Sequence, residues 1–139
     1  MKFRAFFDTN ILAYEFDSSD IQKQEKAKEI LDTWRPSGFF VISTQVIQEL
    51  FVVLTKKFRP ALPVNDALEV IKAYSSCAIH TISAETILKA IRISDDHSLS
   101  FWDGLIITAA KEAGCKVLFT EDLNHGQVIW GIKIVNPFL

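Results

Sequence analysis

Short apolar runs alternate along the chain with longer segments in which apolar residues recur every three or four positions. The runs have the length of buried strands, and the recurring segments have the period of amphipathic helices. Strands are predicted at 3–7, 39–42, 77–81, 117–119 and 132–135. Helices are predicted at 10–16, 21–34, 44–58, 64–74, 84–93 and 101–113. This alternation predicts an α/β fold in which a small parallel sheet is covered by helices on both faces.

Two of these helices carry patterns that assign their faces. In the helix that follows Ser83, the apolar positions are 84, 87, 88 and 91. The polar segment 94–98 is predicted to be a loop. In helix 101–113, Asp103 opens the apolar side, whereas Gly104 and Thr108 belong to the polar side. An acid is therefore expected at the start of an apolar helix face.

Composition narrows the classes of protein. The 139 residues, of which 49% are hydrophobic, suffice for a single domain spanning 1–139. A net charge of -2 means that a polyanionic partner needs local basic residues or metal ions. No apolar run approaches the ~18 residues of a membrane span, and Arg4 and Asp8 interrupt the first run too early for a signal peptide. Two cysteines without CxxC spacing favour free thiols, so we expect a cytoplasmic protein with no membrane association.

Four acidic residues stand where an acid could take part in chemistry, although each has an ordinary explanation. Asp8 directly follows the first strand and could cap the next helix. Asp122 follows the fourth strand in a turn-forming segment. Asp103 fits a capping box with Ser100. Glu49 lies on a largely polar helix stripe, which favours a solvent-facing side chain.

The acids are more informative together. Open α/β sheets bind ligands outside the carboxyl ends of their strands, where Asp8 and Asp122 are both expected, and the helix that begins near Asp103 can start at the same edge. Gathered carboxylates resist ionisation unless a cation neutralises them. Oxygen ligands without matching cysteines or histidines suit Mg²⁺ or Mn²⁺. Such ions promote phosphodiester hydrolysis.

The sequence resembles the PIN-domain family, in particular the VapC-type toxins of toxin–antitoxin pairs. The stretches that carry the resemblance are FDTNIL at 7–12, VIQEL at 46–50, LSFWDGLI at 99–106, LFTEDL at 118–123 and NPF at 136–138. They span the chain in the family's order and contain the same four acids. The resemblance implies a PIN-like three-layer α/β/α sandwich with a small central parallel sheet.

The resemblance also implies an activity and a set of roles. The chain would be a Mg²⁺- or Mn²⁺-dependent endoribonuclease whose metal ligands and catalytic residues are Asp8, Glu49, Asp103 and Asp122, supported by Asn10 and Thr120. It would cleave RNA to 5′-phosphate and 3′-hydroxyl ends, bind a cognate antitoxin and form a homodimer through helices 21–34 and 44–58. One departure is Asn124, where many relatives carry a further acid, which implies a weaker second metal site.

Three other functions stay open at this point. A PIN nuclease that processes RNA without being a toxin would carry the same acids. A catalytically silent module could use them to hold RNA or a protein. In an aspartyl phosphotransferase Asp8 would be the nucleophile, but Asn10 stands where a second acid is expected and no P-loop accompanies it.

Overall fold

The computed structural model describes residues 2–139. The strands and helices run in the order β1 Arg4–Phe7, α1 Thr9–Tyr14, α2 Ile21–Trp34, β2 Phe40–Ser43, α3 Thr44–Val52, α4 Val64–Tyr74, β3 Ala78–His80, α5 Ala84–Asp96, α6 Phe101–Glu112, β4 Cys115–Phe119, β5 Val128–Ile129 and β6 Ile132–Val135. A 3-10 turn at Arg35–Ser37 follows α2, and a π-helical turn at Val53–Lys57 extends α3. The predicted alternation of strands and helices is confirmed.

The sheet has the strand order β3-β2-β1-β4-β6-β5. Every neighbouring pair is parallel except β5 and β6, which form an antiparallel hairpin. That hairpin was not predicted, because β5 has only two residues. Its turn residues, Trp130 and Gly131, have φ angles of 52° and 81°, as two-residue hairpin turns require.

The helices cover both faces of the sheet, which confirms the predicted three layers. The chain moves outward from β1 to β2 and β3, and then returns across the sheet to β4 on the other side of β1. Right-handed crossovers in opposite directions place α1 to α4 on one face and α5 and α6 on the other. The strand order thus reverses between β1 and β4, which is where open α/β sheets form their ligand crevice.

Helix α5 packs on α6 through small side chains. Ala90 and Ser94 are buried, whereas Leu88 and Ile91 are 66% and 52% exposed. The two helices approach closely at Gly104 of α6, where an added Cβ would lie 2.8 Å from the Ser94 Cβ and 2.9 Å from the Ala90 carbonyl oxygen. The apolar positions of α5 are therefore not the ones that pack on α6. The start of the predicted loop is wrong, because the helix continues through Ser94.

Helix α6 is buried along most of its length, between the sheet and α5. Gly104 and Thr108, which were assigned to a polar side, are both buried. The Thr108 hydroxyl donates to the Gly104 carbonyl oxygen at 2.8 Å, so its polar group is satisfied inside the helix. The predicted polar side of α6 is therefore wrong at Gly104 and Thr108, and Gly104 serves the close contact with α5.

The core lies on both sides of the central strands. Its largest fully buried side chains include Phe6 and Phe7 of β1, and Leu118 of β4. Cys115 is buried, Cys77 is partly buried, and both are free thiols as predicted. Across residues 2–139, the helices are too short or too polar to cross a membrane.

Candidate active site

Asp8 lies at the point where the strand order reverses. The buried residues of β1 end at Phe7, and Asp8 caps α1 by accepting a hydrogen bond from the Thr9 amide at 2.7 Å. Its backbone amide donates to the carbonyl oxygen of Phe119, the last residue of β4, at 3.0 Å. Its other carboxylate oxygen accepts from the Thr120 hydroxyl at 2.8 Å. Both oxygens of Asp8 are thus fixed by residues that end or follow the two central strands.

Burial controls the ionisation of Asp8, whose residue is only 6% exposed. Desolvation raises its pKa from 3.8 to about 7, although the hydrogen bonds from Thr120 and Thr9 oppose the rise. The carboxylates of Asp122 and Glu49 also contribute to this rise in the pKa, because like charges disfavour ionisation. Asp8 is therefore a desolvated acid that faces other acids.

Glu49 reaches the same place from α3. Ser43 caps that helix by accepting from the Val46 amide, and Glu49 follows on the first turns. The Thr9 hydroxyl donates to one Glu49 carboxylate oxygen at 3.0 Å. Glu49 is therefore held over the start of α1, not turned into solvent as its helix stripe alone suggests. Thr9 was missed as a site residue, and its place between Asp8 and Asn10 was the available signal.

Asp122 lies close enough to both Asp8 and Asp103 for their charges to interact. The Asp122 amide donates to the Thr120 hydroxyl oxygen at 3.1 Å, so one hydroxyl links two acids. Burial raises the pKa of Asp122, and the charges of Asp103 and Glu121 raise it further. Asp103 stands in the first turn of α6, where its amide donates to the Ser100 hydroxyl at 3.1 Å.

Asn10 lies beside Asp122. Hydrogen bonding by its side chain opposes the rise in the Asp122 pKa that burial and the nearby Asp103 and Glu121 charges cause. The side-chain oxygen of Asn10 is buried and has no hydrogen-bond partner. A buried acceptor without a partner is costly unless a ligand or water completes it. Asn10 therefore offers an unused oxygen next to the carboxylates.

Glu121 is held by partners of its own. The Tyr14 hydroxyl donates to one of its oxygens at 2.5 Å, and the Lys23 ammonium pairs with the other at 2.6 Å. These contacts tie the segment after β4 to α1 and α2, and no pattern in the sequence predicts them. They leave Asp122 as the acid of this segment that faces the cleft.

A cleft of about 440 Å³ opens in front of these residues. Three of the predicted acids line it, and Asp103 does not. Its lining consists of Asp8, Thr9, Gln45, Gln48, Glu49, Val52, Val53, Lys57, Trp102 and Asp122. Within the described residues, no three acidic, histidine or cysteine side chains stand in a group that could hold a metal ion. Asp8, Glu49 and Asp122 therefore border one cleft without converging on one point, and Asp103 lies outside its lining.

Comparisons with known proteins agree with this architecture. The family model of the PIN domain matches residues 5–130. The structure is similar to a toxin–antitoxin complex from Klebsiella pneumoniae, with 26% identity, a TM-score of 0.71, and 96% of this chain and 97% of that chain covered. VapC20, a sarcin–ricin loop cleaving toxin of Mycobacterium tuberculosis, is 20% identical with a TM-score of 0.68 over 85% of this chain and 91% of that one.

A third similar structure is DNA-bound VapBC from Salmonella typhimurium. It is 19% identical, with a TM-score of 0.68 over 95% of this chain and 96% of the other. None of the curated proteins matches the chain.

Proposed function

The chain belongs to the PIN-domain family, and from that premise we propose that it is a metal-dependent endoribonuclease that hydrolyses RNA phosphodiester bonds. The observation that carries the proposal is the state of Asp8. This buried carboxyl has a pKa raised to about 7 by burial, with Asp122 and Glu49 adding to the rise. Such a site is best stabilised by a cation, because a cation relieves both the desolvation and the repulsion.

The residues present fit Mg²⁺ or Mn²⁺ by their chemistry. Carboxylate oxygens are the ligands these ions prefer, and the buried side-chain oxygen of Asn10 has no partner in the protein. Asp8, Glu49 and Asp122, which line the cleft, would hold the ion after drawing together on it, and Asp103, whose charge acts on Asp122, would complete the set. When bound, it would supply polarisation of a phosphoryl oxygen and a more acidic water.

The chain's own hydrogen bonds would orient these ligands. Thr120 fixes Asp8 through its hydroxyl proton and Asp122 through its hydroxyl oxygen. Thr9 holds Glu49 from the start of α1. Orientation of this kind lowers the barrier because the ligands do not have to reorganise during the reaction.

We further propose that the protein is the toxin of a toxin–antitoxin pair that acts on cytoplasmic RNA. This proposal is supported by the similar structures, of which one is described as a toxin–antitoxin complex and another as a toxin that cleaves the sarcin–ricin loop. An apolar groove between α3 and α4, lined by Ile47, Phe51 and Leu68 among others, offers a surface for the antitoxin or for a second copy in a homodimer.

The test is cleavage of a structured RNA with Mg²⁺, Mn²⁺ or EDTA by the wild type and by Asp8→Asn. We expect cleavage that requires the metal and falls by at least about a hundredfold in the variant, because a ligand oxygen is replaced by an amide. Asp96→Asn removes the same charge from an exposed position of α5 and is the matched control. Equal cleavage by Asp8→Asn and Asp96→Asn, or cleavage that persists in EDTA, would overturn the proposal.

A further inference from the structure

An exposed tryptophan stands at the mouth of the acidic cleft. Trp102 is 61% exposed and lines the cleft together with Asp8 and Glu49. Its ring meets the ring of Phe101 edge-on, with centroids 5.1 Å apart, so one neighbour supports it. A large aromatic ring left open to solvent beside a polar site is a surface that a flat ligand could cover.

Gln45 provides an independent sign of a ligand at the same place. Its residue is 5% exposed, and its side-chain Nε2 donates to the Trp102 carbonyl oxygen at 3.4 Å. Its Oε1 is buried and has no hydrogen-bond partner, and the residue is part of the cleft lining. Because the nitrogen is used by a carbonyl, the oxygen is the free end of the amide, and it can only accept.

A third group that could contact a nucleotide is the cation of Lys57, which also lines the cleft. Lys57 ends the π-helical turn and lines the cleft beside Val52 and Val53. It is exposed, so its ammonium can follow a ligand at the entrance. The cleft thus combines an aromatic face, a buried acceptor and a cation in addition to its carboxylates.

We propose that this part of the cleft binds one nucleotide of single-stranded RNA. The base stacks on Trp102, its exocyclic amino group donates to Gln45 Oε1, and Lys57 pairs with a phosphate. Stacking and edge recognition of this kind are how proteins read unpaired bases. An acceptor placed to receive an exocyclic amino group favours adenine, cytosine or guanine over uracil, which has no amino group. The inference rests on the proposed nuclease function and specifies where its substrate is held.

The test measures binding of fluorescent octamers of adenylate and uridylate by anisotropy, with Mg²⁺ present. Asp8→Asn is the background, so that the RNA stays intact. Trp102→Ala should weaken binding of both octamers by about 10- to 100-fold, because a stacked base loses its platform. Trp102→Phe should restore most of the affinity. Trp130→Phe changes a tryptophan outside the cleft and should have no effect.

The role of Gln45 is tested by changing the base and the Gln45 side chain, separately and together. Replacing adenine by purine, which lacks the amino group, should weaken binding about fivefold, as expected for one neutral hydrogen bond. The same replacement should have no effect on Gln45→Met, which has no acceptor oxygen. Lys57→Ala should reduce the salt dependence of binding, whereas Lys56→Ala, next to it and outside the cleft lining, should leave it unchanged.

The outcomes separate this inference from the proposed function. If RNA binds and is cut, but its affinity is unchanged by Trp102→Ala and by the loss of the amino group, the subsite alone would be overturned. An equal loss on purine replacement in Gln45→Met would overturn the assigned hydrogen bond. Absence of both RNA binding and cleavage would overturn the nuclease function together with the subsite.

Discussion

Replacing Asp8 by asparagine should stabilise the metal-free protein at alkaline pH. Asp8 is buried, caps α1 and accepts two hydrogen bonds, so a loss of stability would be the ordinary expectation. Burial, however, raises its pKa to about 7. The folded protein therefore holds a proton on Asp8 that the unfolded chain has already released, and folding becomes less favourable as that proton is lost.

The magnitude follows from the two pKa values. The folded state binds more protons than the unfolded state between pH 3.8 and about pH 7, so the free energy of unfolding falls as pH rises through this window. The difference between the folded and unfolded pKa values of Asp8 lowers the free energy of unfolding by about 4 kcal/mol over the whole window. About 2.5 kcal/mol of this loss falls between pH 5 and pH 8. Asparagine does not ionise and caps a helix as well as aspartate does.

Urea unfolding of the wild type and Asp8→Asn in EDTA at pH 5 and pH 8 measures this difference. The stability of the variant relative to the wild type should increase by about 2.5 kcal/mol from pH 5 to pH 8. Asp96→Asn, which alters an exposed acid, controls for the general effect of charge. A relative stability of Asp8→Asn that is the same at both pH values would refute the argument from burial.

Three further predictions concern the metal, the helix contact and the support of Glu49. At pH 8, Mg²⁺ at a hundred times its dissociation constant should stabilise the wild type by about 3 kcal/mol. The melting temperature of the wild type should therefore rise clearly with Mg²⁺, whereas that of Asp8→Asn should not. Equal rises in the two proteins would contradict this prediction. Gly104→Ala should destabilise by about 1–3 kcal/mol in urea unfolding, since its Cβ would lie 2.8 Å from that of Ser94; unchanged stability would show that the helices can separate. Thr9→Val should lower kcat about tenfold with little change in KM, because the Thr9 hydroxyl holds Glu49. Thr9→Ser, which keeps the hydroxyl, should restore kcat. A change in KM alone would contradict the support of Glu49 by Thr9.

The sheet and the place of Asp8 follow from local pattern. Buried apolar strands, helix periods and a carboxylate directly after β1 are all signals carried by neighbouring residues. Helix α2 has the predicted bounds, 21–34. Parallel strand pairing then brings the ends of β1 and β4 together, so the position of Asp8 beside Thr120 needs little more than topology.

The remaining features depend on partners distant in sequence. Periodicity places Glu49 on a polar stripe, and only Thr9 of another helix explains why it turns to the cleft. Large residues in α5 suggest a core face, but the missing side chain of Gly104 lets Ala90 and Ser94 approach instead. Such close contacts between small residues leave no apolar period in the sequence.

The central claim is that the carboxylates around Asp8 serve metal-dependent hydrolysis of RNA. Sequencing of RNA ends after incubation with Mg²⁺ tests it most directly, with wild type and Asp8→Asn compared on the same transcript. We expect discrete cleavage sites that carry 5′-phosphates in the wild-type sample and are lost in the Asp8→Asn sample. The same sites at undiminished frequency in Asp8→Asn, or ends with 5′-hydroxyls, would contradict it.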